Sequence, residues 1–555
     1  MTAGRTHVEW RGWGAAPFEE ARSADRPVLL SLTATWCDSC HEMDGETYAE
    51  PRIAANINDG FVPVRVDVDR RPRVRERYNM GGFPSTVFCT PDGDVITGAG
   101  YLGPDGLRQV LDSVREVWTD RGTDAGRVPR ALAGDPTPGG TVDERIESHL
   151  AGQLDEQWDD RFGGWGDDAK FPLPRTVEFA LKRDRPKATQ TLRAIAESLI
   201  DHDAGGFYRY AAARDWSEPE KEKLLTDNAA LIRAFANGYL YTGDESLLDP
   251  ATGAREFLVE RLWNGTAFGG SVAPPDDGSE PRRDHTGYAG GNALAAEALL
   301  TVVAYTDDEA SREYAEGVLR TLEGSFVDDG VVSHIAPGDV RADEQDPPAG
   351  LLEDHARVVA AFATARQVLG PDALPVDPLA VARSVADEAI ETLQEPTGAF
   401  RDGPPRGLGL LSKPLRPLDG TVEVADALLD LAAVTDVVDD PNADGDGHRS
   451  DDYTDAAHDA VAAFAGAWDR FGVQVAGYGS VASRLTRPDL VVAVGDDAGS
   501  DLHRAGLRVA DHEAVVVPAA PDTPAGVATV RRGTDSRNAT TPEELLDAVA
   551  ALSDG

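Results

Sequence analysis

The feature that most limits the fold is a run of Ala/Leu-rich helical patterns between residues 141 and 471, with almost no strand signal among them. Eleven are legible, near 142–157, 174–184, 188–201, 222–241, 250–263, 287–304, 308–322, 350–369, 376–394, 421–436 and 453–470. Each has an apolar stripe that must be buried against neighbours. A Gly-aromatic phrase recurs between them: "FGGW" at 162, "GGFYRY" at 205, "AFGG" at 267 and "GAF" at 398. A loop phrase that returns between helix pairs marks stacked helical hairpins. The length suits six hairpins and no strict repeat period appears, which favours a closed (α/α)6 toroid over an open solenoid. Six hairpins need twelve helices, so one is missing from the eleven.

The flanks read differently. Residues 1–120 alternate strand and helix: an apolar run Val28–Thr33, a helix opening at a cysteine pair, a helix from Pro51, a strand Phe61–Asp69, a strand Ser85–Thr90, an edge strand and a closing amphipathic helix. That order predicts a small α/β domain. Residues 121–140 lack periodicity and carry Gly, Pro and Asp, as a linker does. From 475 to 555 strands return, in "DLVVAVGDD" and "EAVVVPAA", with helices in "AGSDLHRAGL" and at the end. The chain is therefore expected to be multidomain, α/β plus all-α, as 555 residues exceed what one core supports.

The chemistry centres on "WCDSCHEM", Trp36–Met43. Three readings compete: a redox pair, part of a metal site, or two buried cysteines. A metal site needs more ligands than Cys37, Cys40 and His41 supply, and Cys89 is the only other thiol. A pair that follows a strand and opens a helix suits redox chemistry, because free N–H groups and the helix dipole favour a thiolate there. Cys37, nearest the helix start and expected to be exposed, is the attacking thiolate; Cys40, one turn on, resolves the mixed disulfide. Pro84 precedes a strand in "GGFPSTVF", where thioredoxin-type folds place a cis-proline facing the cysteines. Trp36 is expected to shield the thiols and His41 to tune them. Asp38, beside Cys37, raises its pKa by charge.

These motifs resemble the spermatogenesis-associated, thioredoxin-like family, whose phrase Cys-His-Trp-Cys-His-Val-Met aligns with Cys37–Met43. Asp38 and Ser39 depart from it. "VDVDRRPRV" and "GGFPSTVFCTPDG" resemble further family phrases, as do "RFGGWGDDAKFPLP", "GGFYRYAAARDW", "PEKEKLLTDNA" and "LLEDHARVVAAF". Glu222, Lys223, Leu225, Asp227 and Asn228 match, whereas Tyr208, Glu220 and Lys221 replace family residues. The resemblance spans nearly the whole chain and implies a thioredoxin-like domain joined to an (α/α)6, six-hairpin glycosidase-like toroid.

Toroids of this kind bind sugars in a central cleft, and glycoside hydrolysis there needs two carboxyl groups. Candidate ligand-binding residues are Arg209, Asp227, Asn228, Asp284, His285, Asn292, Glu353, Asp354, His355 and Asp419, with Trp165, Tyr208, Trp216 and Phe400 as stacking aromatics. Asp227 and Asn228 are expected inside a long helix. Asp284 and Asp354 equally suit helix starts, where acids meet the dipole.

The formal charge of −44 is spread along the chain. No basic cluster exists for nucleic acid, and the even acidity suggests solubility in high salt and a halophilic source. No apolar segment reads as a signal peptide or a membrane span, so a cytoplasmic protein is expected. No cofactor or resident metal is expected. Three functions follow: a thiol–disulfide oxidoreductase acting on a protein disulfide or a small molecule, a carbohydrate-active toroid with an accessory thioredoxin-like domain, or a non-catalytic scaffold.

Overall fold

The computed structural model describes residues 7–273, 280–342, 344, 346–439 and 449–553. The first unit holds a sheet of β1 (Val28–Thr33), β2 (Val62–Asp67), β3 (Ser85–Cys89) and β4 (Val95–Ala99), in the order β2-β1-β3-β4. β1 runs parallel to β2 and antiparallel to β3, which is antiparallel to β4. Its helices are α1 (Ala15–Ala24), α2 (Asp38–Glu46), α3 (Pro51–Gly60), α4 (Pro72–Tyr78) and α5 (Pro104–Arg121). Leu29 and Phe88 face Met43, Ile53, Ile57, Leu107 and Leu111 on one side of the sheet. Leu30, Leu32 and Val64 face Phe18, Val74 and Tyr78 on the other. Burial on both faces is why β1 reads as an unbroken apolar run.

Twelve helices follow: α6 (Glu144–Glu156), α7 (Pro174–Arg183), α8 (Arg185–Ser198), α9 (Leu225–Thr242), α10 (Leu248–Phe257) and α11 (Ala289–Thr306), then α12 (Glu309–Thr321), α13 (Leu352–Val368), α14 (Pro378–Leu393), α15 (Leu418–Val438), α16 (Ser450–Ala462) and α17 (Gly477–Thr486). Helices α7, α9, α11, α13, α15 and α17 each touch the next, and α17 returns to α7, so the inner ring closes. The other six lie outside, α6 against α17 and α8, α10, α12, α14 and α16 each against the preceding inner helix. This is the (α/α)6 toroid. The missing twelfth helix is α17, "GYGSVASRLT", which lies beyond residue 471 where the sequence suggests the toroid ends.

The recurring glycines have a backbone reason. Gly163 and Gly164 have φ of 72° and 73°, and Gly205 and Gly206 have 72° and 77°, a region that side chains avoid. The neighbouring aromatics Trp165, Phe207 and Phe268 are buried in the toroid core.

After the ring come strands Leu490–Val494, Val515–Val517, Ala528–Arg532 and Asp535–Ala539, with α18 (Asp501–Leu507) between the first two and α19 (Pro542–Ser553) last. The antiparallel hairpin over 528–539 escapes the sequence reading. In the sheet Val515–Val517 lies beside Leu490–Val494, parallel to it, then Ala528–Arg532 and Asp535–Ala539, both antiparallel. That is the β2-β1-β3-β4 arrangement again. This unit packs against α11, α13 and α15.

Candidate functional site at the cysteine pair and the toroid mouth

Cys37 caps α2 and is disulfide-bonded to Cys40. Its Sγ accepts a bond from the Cys40 N–H at 3.1 Å, so the pair sits on the unpaired N–H groups of a helix start. Immediately before β3, the Phe83–Pro84 peptide is cis. Trp36 is buried, edge-on to Phe83 at 5.8 Å, and donates from Nε1 to Asp69 Oδ2 at 2.8 Å. His41 Nε2 lies 3.0 Å from the Thr35 carbonyl oxygen. Cys89 is buried in the sheet, and burial pushes its thiol far up.

The expected exposure of Cys37 is not found. Cys37 is 4% exposed and Cys40 3%. A small sheet of the toroid, Lys223–Leu224, Gly269–Ala273 and Arg282–Gly287, lies beside the pair. Its Leu224 and Ala273 pack in one apolar cluster with Trp36, Cys37 and Cys40. Arg282 hydrogen-bonds the Asp38 carboxylate and donates from Nε to the Thr35 carbonyl at 3.4 Å. Arg209 lies over the Trp36 ring at 4.4 Å and 3.9 Å from Asp227. The cysteine pair thus lies against the toroid.

Behind Trp36 three acids converge. Burial, helped by repulsion from Asp67, pushes Asp69 up to about 7; burial and Asp284 push Asp67 up to about 6. Asp284 is on a strand, not at a helix start, and accepts from the Tyr288 hydroxyl at 2.8 Å and the Thr286 N–H at 3.0 Å. Asp354 is buried at the start of α13, 2.9 Å from His334 Nδ1, and accepts the Gly290 N–H at 2.9 Å. His334 Nε2 lies 2.8 Å from the Asp69 carbonyl oxygen, across the two units. Burial alone would discharge this histidine; Asp354 reverses that and raises its pKa.

The ring mouth holds a cavity of about 420 Å³ lined by Asp227, Arg175, Arg233, Arg357, Glu423 and Tyr478 among others. A second, of about 240 Å³, lies under α4, between Arg73 and Arg75 on one side and Glu353, Arg357, Asp419 and Glu423 on the other. Burial pushes Asp227 up to about 6 and raises Asp419, whereas Arg357 holds Glu353 below its ordinary value.

Several expected ligand residues serve the fold instead. Asp227 and Asn228 stand in the first turn of α9, because residues 223–224 form a strand, and they part company. Buried Asn228 accepts the Phe207 N–H at 2.7 Å and donates to the Phe207 and Leu224 carbonyls. Asn292 holds Phe268 in the same way. Trp165 and Trp216 are buried, their indole N–H groups spent on the Leu154 and Phe162 carbonyls, and Phe400 is core. Tyr208 lies under the Lys223 ammonium at 5.3 Å. His355 is buried and bonded to the Leu351 carbonyl, while His285 is exposed. Sequence reasoning missed Arg282, Arg357, Glu423, His334, Asp67 and Asp69. Only the last two had a signal: they end a strand on the side where open α/β sheets hold ligands.

A thioredoxin-like α/β unit carrying a CxxC pair, docked on a six-hairpin toroid, is the class that fold and site define. Residues 2–133, the first unit, match the family model Thioredox_DsbH, described as a protein of unknown function, DUF255. The chain is 32% identical over 317 residues to spermatogenesis-associated protein 20 of Homo sapiens, a match covering 50% of this chain and 40% of the human protein. The matched stretch thus spans well under two thirds of that relative. It is 35% identical over 108 residues to a thiol:disulfide interchange protein, DsbD 1, of Pseudomonas aeruginosa, covering 19% of this chain and 18% of that protein. Among solved structures, a sugar epimerase from a ruminal bacterium aligns with a TM-score of 0.46 at 14% identity, over 57% of this chain and 84% of that one. The toroid itself rests on the closed helix ring. Among the described residues, no helix is long and apolar enough to cross a membrane.

Proposed function

We propose that the chain is a thiol–disulfide oxidoreductase with one composite site, in which Cys37 and Cys40 exchange disulfides with a substrate admitted at the toroid mouth. The observation that carries this is that toroid residues meet the surroundings of the pair: Leu224 and Ala273 share its apolar cluster, Arg209 lies over Trp36 and Arg282 bonds Asp38. In the reducing direction the Cys37 thiolate attacks one sulfur of the substrate disulfide. That S–S bond breaks, and the leaving thiolate takes a proton from water. Cys40 then attacks Cys37 Sγ, releases the second substrate thiol and restores the Cys37–Cys40 disulfide. Two electrons pass to the substrate, and an external dithiol resets the pair. Trp36 packs in the apolar cluster of the two cysteines, the cis Phe83–Pro84 peptide precedes β3, and His41 is held at the helix start by Thr35.

With both sulfurs nearly sealed, a disulfide in a folded protein reaches Cys37 only if the covering strands move, which favours a small disulfide as substrate. The test is exchange by the reduced full chain with a small aromatic disulfide and with insulin, beside Cys37→Ser. Fast exchange with the small disulfide, slow exchange with insulin and loss of both in the variant are expected. Equal rates in the variant and the parent would sink the reading.

One observation favours a second reading, a carbohydrate-active mouth: Asp227, whose carboxyl is raised to about 6, and Glu353, held ionised by Arg357, stand at neighbouring cavities as an acid and a base would. A panel of monosaccharides and oligosaccharides tests it. The spread charge of −44 supports a cytoplasmic setting rich in salt.

A further inference from the structure

Asp38 adjoins Cys37, and an acid there opposes a thiolate. The counter-charge comes from outside the thioredoxin-like unit. Arg282 bonds the Asp38 carboxylate and the Thr35 carbonyl, two anchors that bracket Trp36 and Cys37. Its backbone is fixed as well: Arg282 pairs with Ala273 across the toroid hairpin, and Ala273 belongs to the apolar cluster that holds Cys37 and Cys40. The Arg282 side chain is 20% exposed, so its charge is screened less than a surface arginine's.

We propose that Arg282 is a positioning residue of the thiol site, offsetting Asp38 so that the toroid decides whether Cys37 reacts as a thiolate. The proposal rests on the oxidoreductase reading above. Other charges face the pair. His41 stands on α2 itself. Arg209 meets it across the Trp36 ring. Asp69, hydrogen-bonded to Trp36, has Asp67 and Asp284 behind it. Asp67 and Asp69, raised to about 6 and about 7, still carry charge where a thiol titrates, but they stand behind the Trp36 ring. Asp38 is the acid adjoining Cys37, and Arg282 is the cation bonded to it.

The measurement is the titration midpoint of Cys37, followed by ultraviolet thiolate absorbance in the reduced full chain carrying Cys40→Ser. Cys89 is silent there because burial keeps its thiol protonated. Arg282→Gln is expected to raise the midpoint by about one unit, and Asp38→Asn to lower it. The double variant should return near the parent, and Arg282→Lys, which keeps the charge, should stay near it. Added salt should shrink the differences. A midpoint that Arg282→Gln leaves in place or lowers overturns the proposal. If that variant does not fold, Asp38→Asn decides, and a midpoint that stays or rises overturns it. The two readings fail apart. A chain with both cysteines that exchanges no disulfide sinks the oxidoreductase reading whatever the midpoint does. Brisk exchange with an unmoved midpoint sinks only the role of Arg282.

Discussion

Asp69 sits just past β2 with its carboxyl under Trp36 and its carbonyl oxygen against His334. Burial, then the charge of Asp67, raises it to about 7, against an ordinary unfolded value of about 3.9. Between those two values the folded chain holds a proton that the unfolded chain has lost. Stability therefore grows as pH falls through about 7, and the gain is complete near the ordinary carboxylate value. Asp69→Asn, neutral at every pH and still able to accept the Trp36 bond, should flatten that slope. Thermal midpoints from pH 8 to pH 5 check it, and parallel profiles for variant and parent would contradict it. At this scale the sequence shows what adjacent residues carry. Cys37, Cys40, Trp36 and Pro84 are legible because their spacing is local. Arg282 is not, because its partner Asp38 lies 244 residues away. Trp165, Trp216 and Asn228 mislead for one reason: a cleft-facing side chain and one that packs or ties down a neighbouring loop look alike in sequence.

The Gly-aromatic loops show what an element needs in order to close. In the first, Asp159 accepts the Arg161 and Phe162 N–H groups, and Lys170 Nζ bridges Asp159 at 2.9 Å to the Gly166 carbonyl. Asp201 and Lys223 repeat the device in the second. Lys170 and Asp159 are almost fully buried, so each holds the other's charge in place. The Arg214 guanidinium first, and then Lys170, drive the Asp159 pKa well down. Asp159→Ala strands the Lys170 ammonium and should cost about 3–5 kcal/mol, read as a lower urea midpoint for the toroid. A loss no larger than a surface substitution gives would contradict the pair's role. Most of the helices are legible as Ala/Leu-rich patterns with an apolar stripe, and one is legible from composition alone. Helix α11 is buried on almost every side, from Ala289 to Ala304, and has no polar face to mark its period. Helix α17 hid because it is short and built of small residues, and it forms only where α6, α7 and α15 enclose it.

At the scale of the whole molecule the ring carries a unit of the same topology at each mouth. The first covers the starts of α9, α13 and α15, while the second packs on the ring near Asn237, Tyr305 and Gln367, late in their helices. Arg233 lines cavities at both mouths and is held by Glu178 and Glu297, so the bore between the caps is charged and not greasy. Only the first cap carries the cysteine pair, and it is clamped to the ring by arginines. Arg70 reaches Thr286, Glu344 and the Asp339 carbonyl. Arg77, fully buried in its side chain, takes both oxygens of Asp402 and the Leu410 and Lys413 carbonyls. Arg77→Ala leaves the buried Asp402 to Arg73 alone and should weaken the docking by about 3–5 kcal/mol. If the ring seals the thiols, the cap loosens before the ring melts. Reduced Cys37 and Cys40 should then be alkylated faster in native buffer, and the segment 121–140 cut sooner by protease, while the toroid's own unfolding midpoint holds. An unchanged alkylation rate beside a weakened interface would show that the cysteines are closed off by their own unit, and the composite site would lose its physical basis.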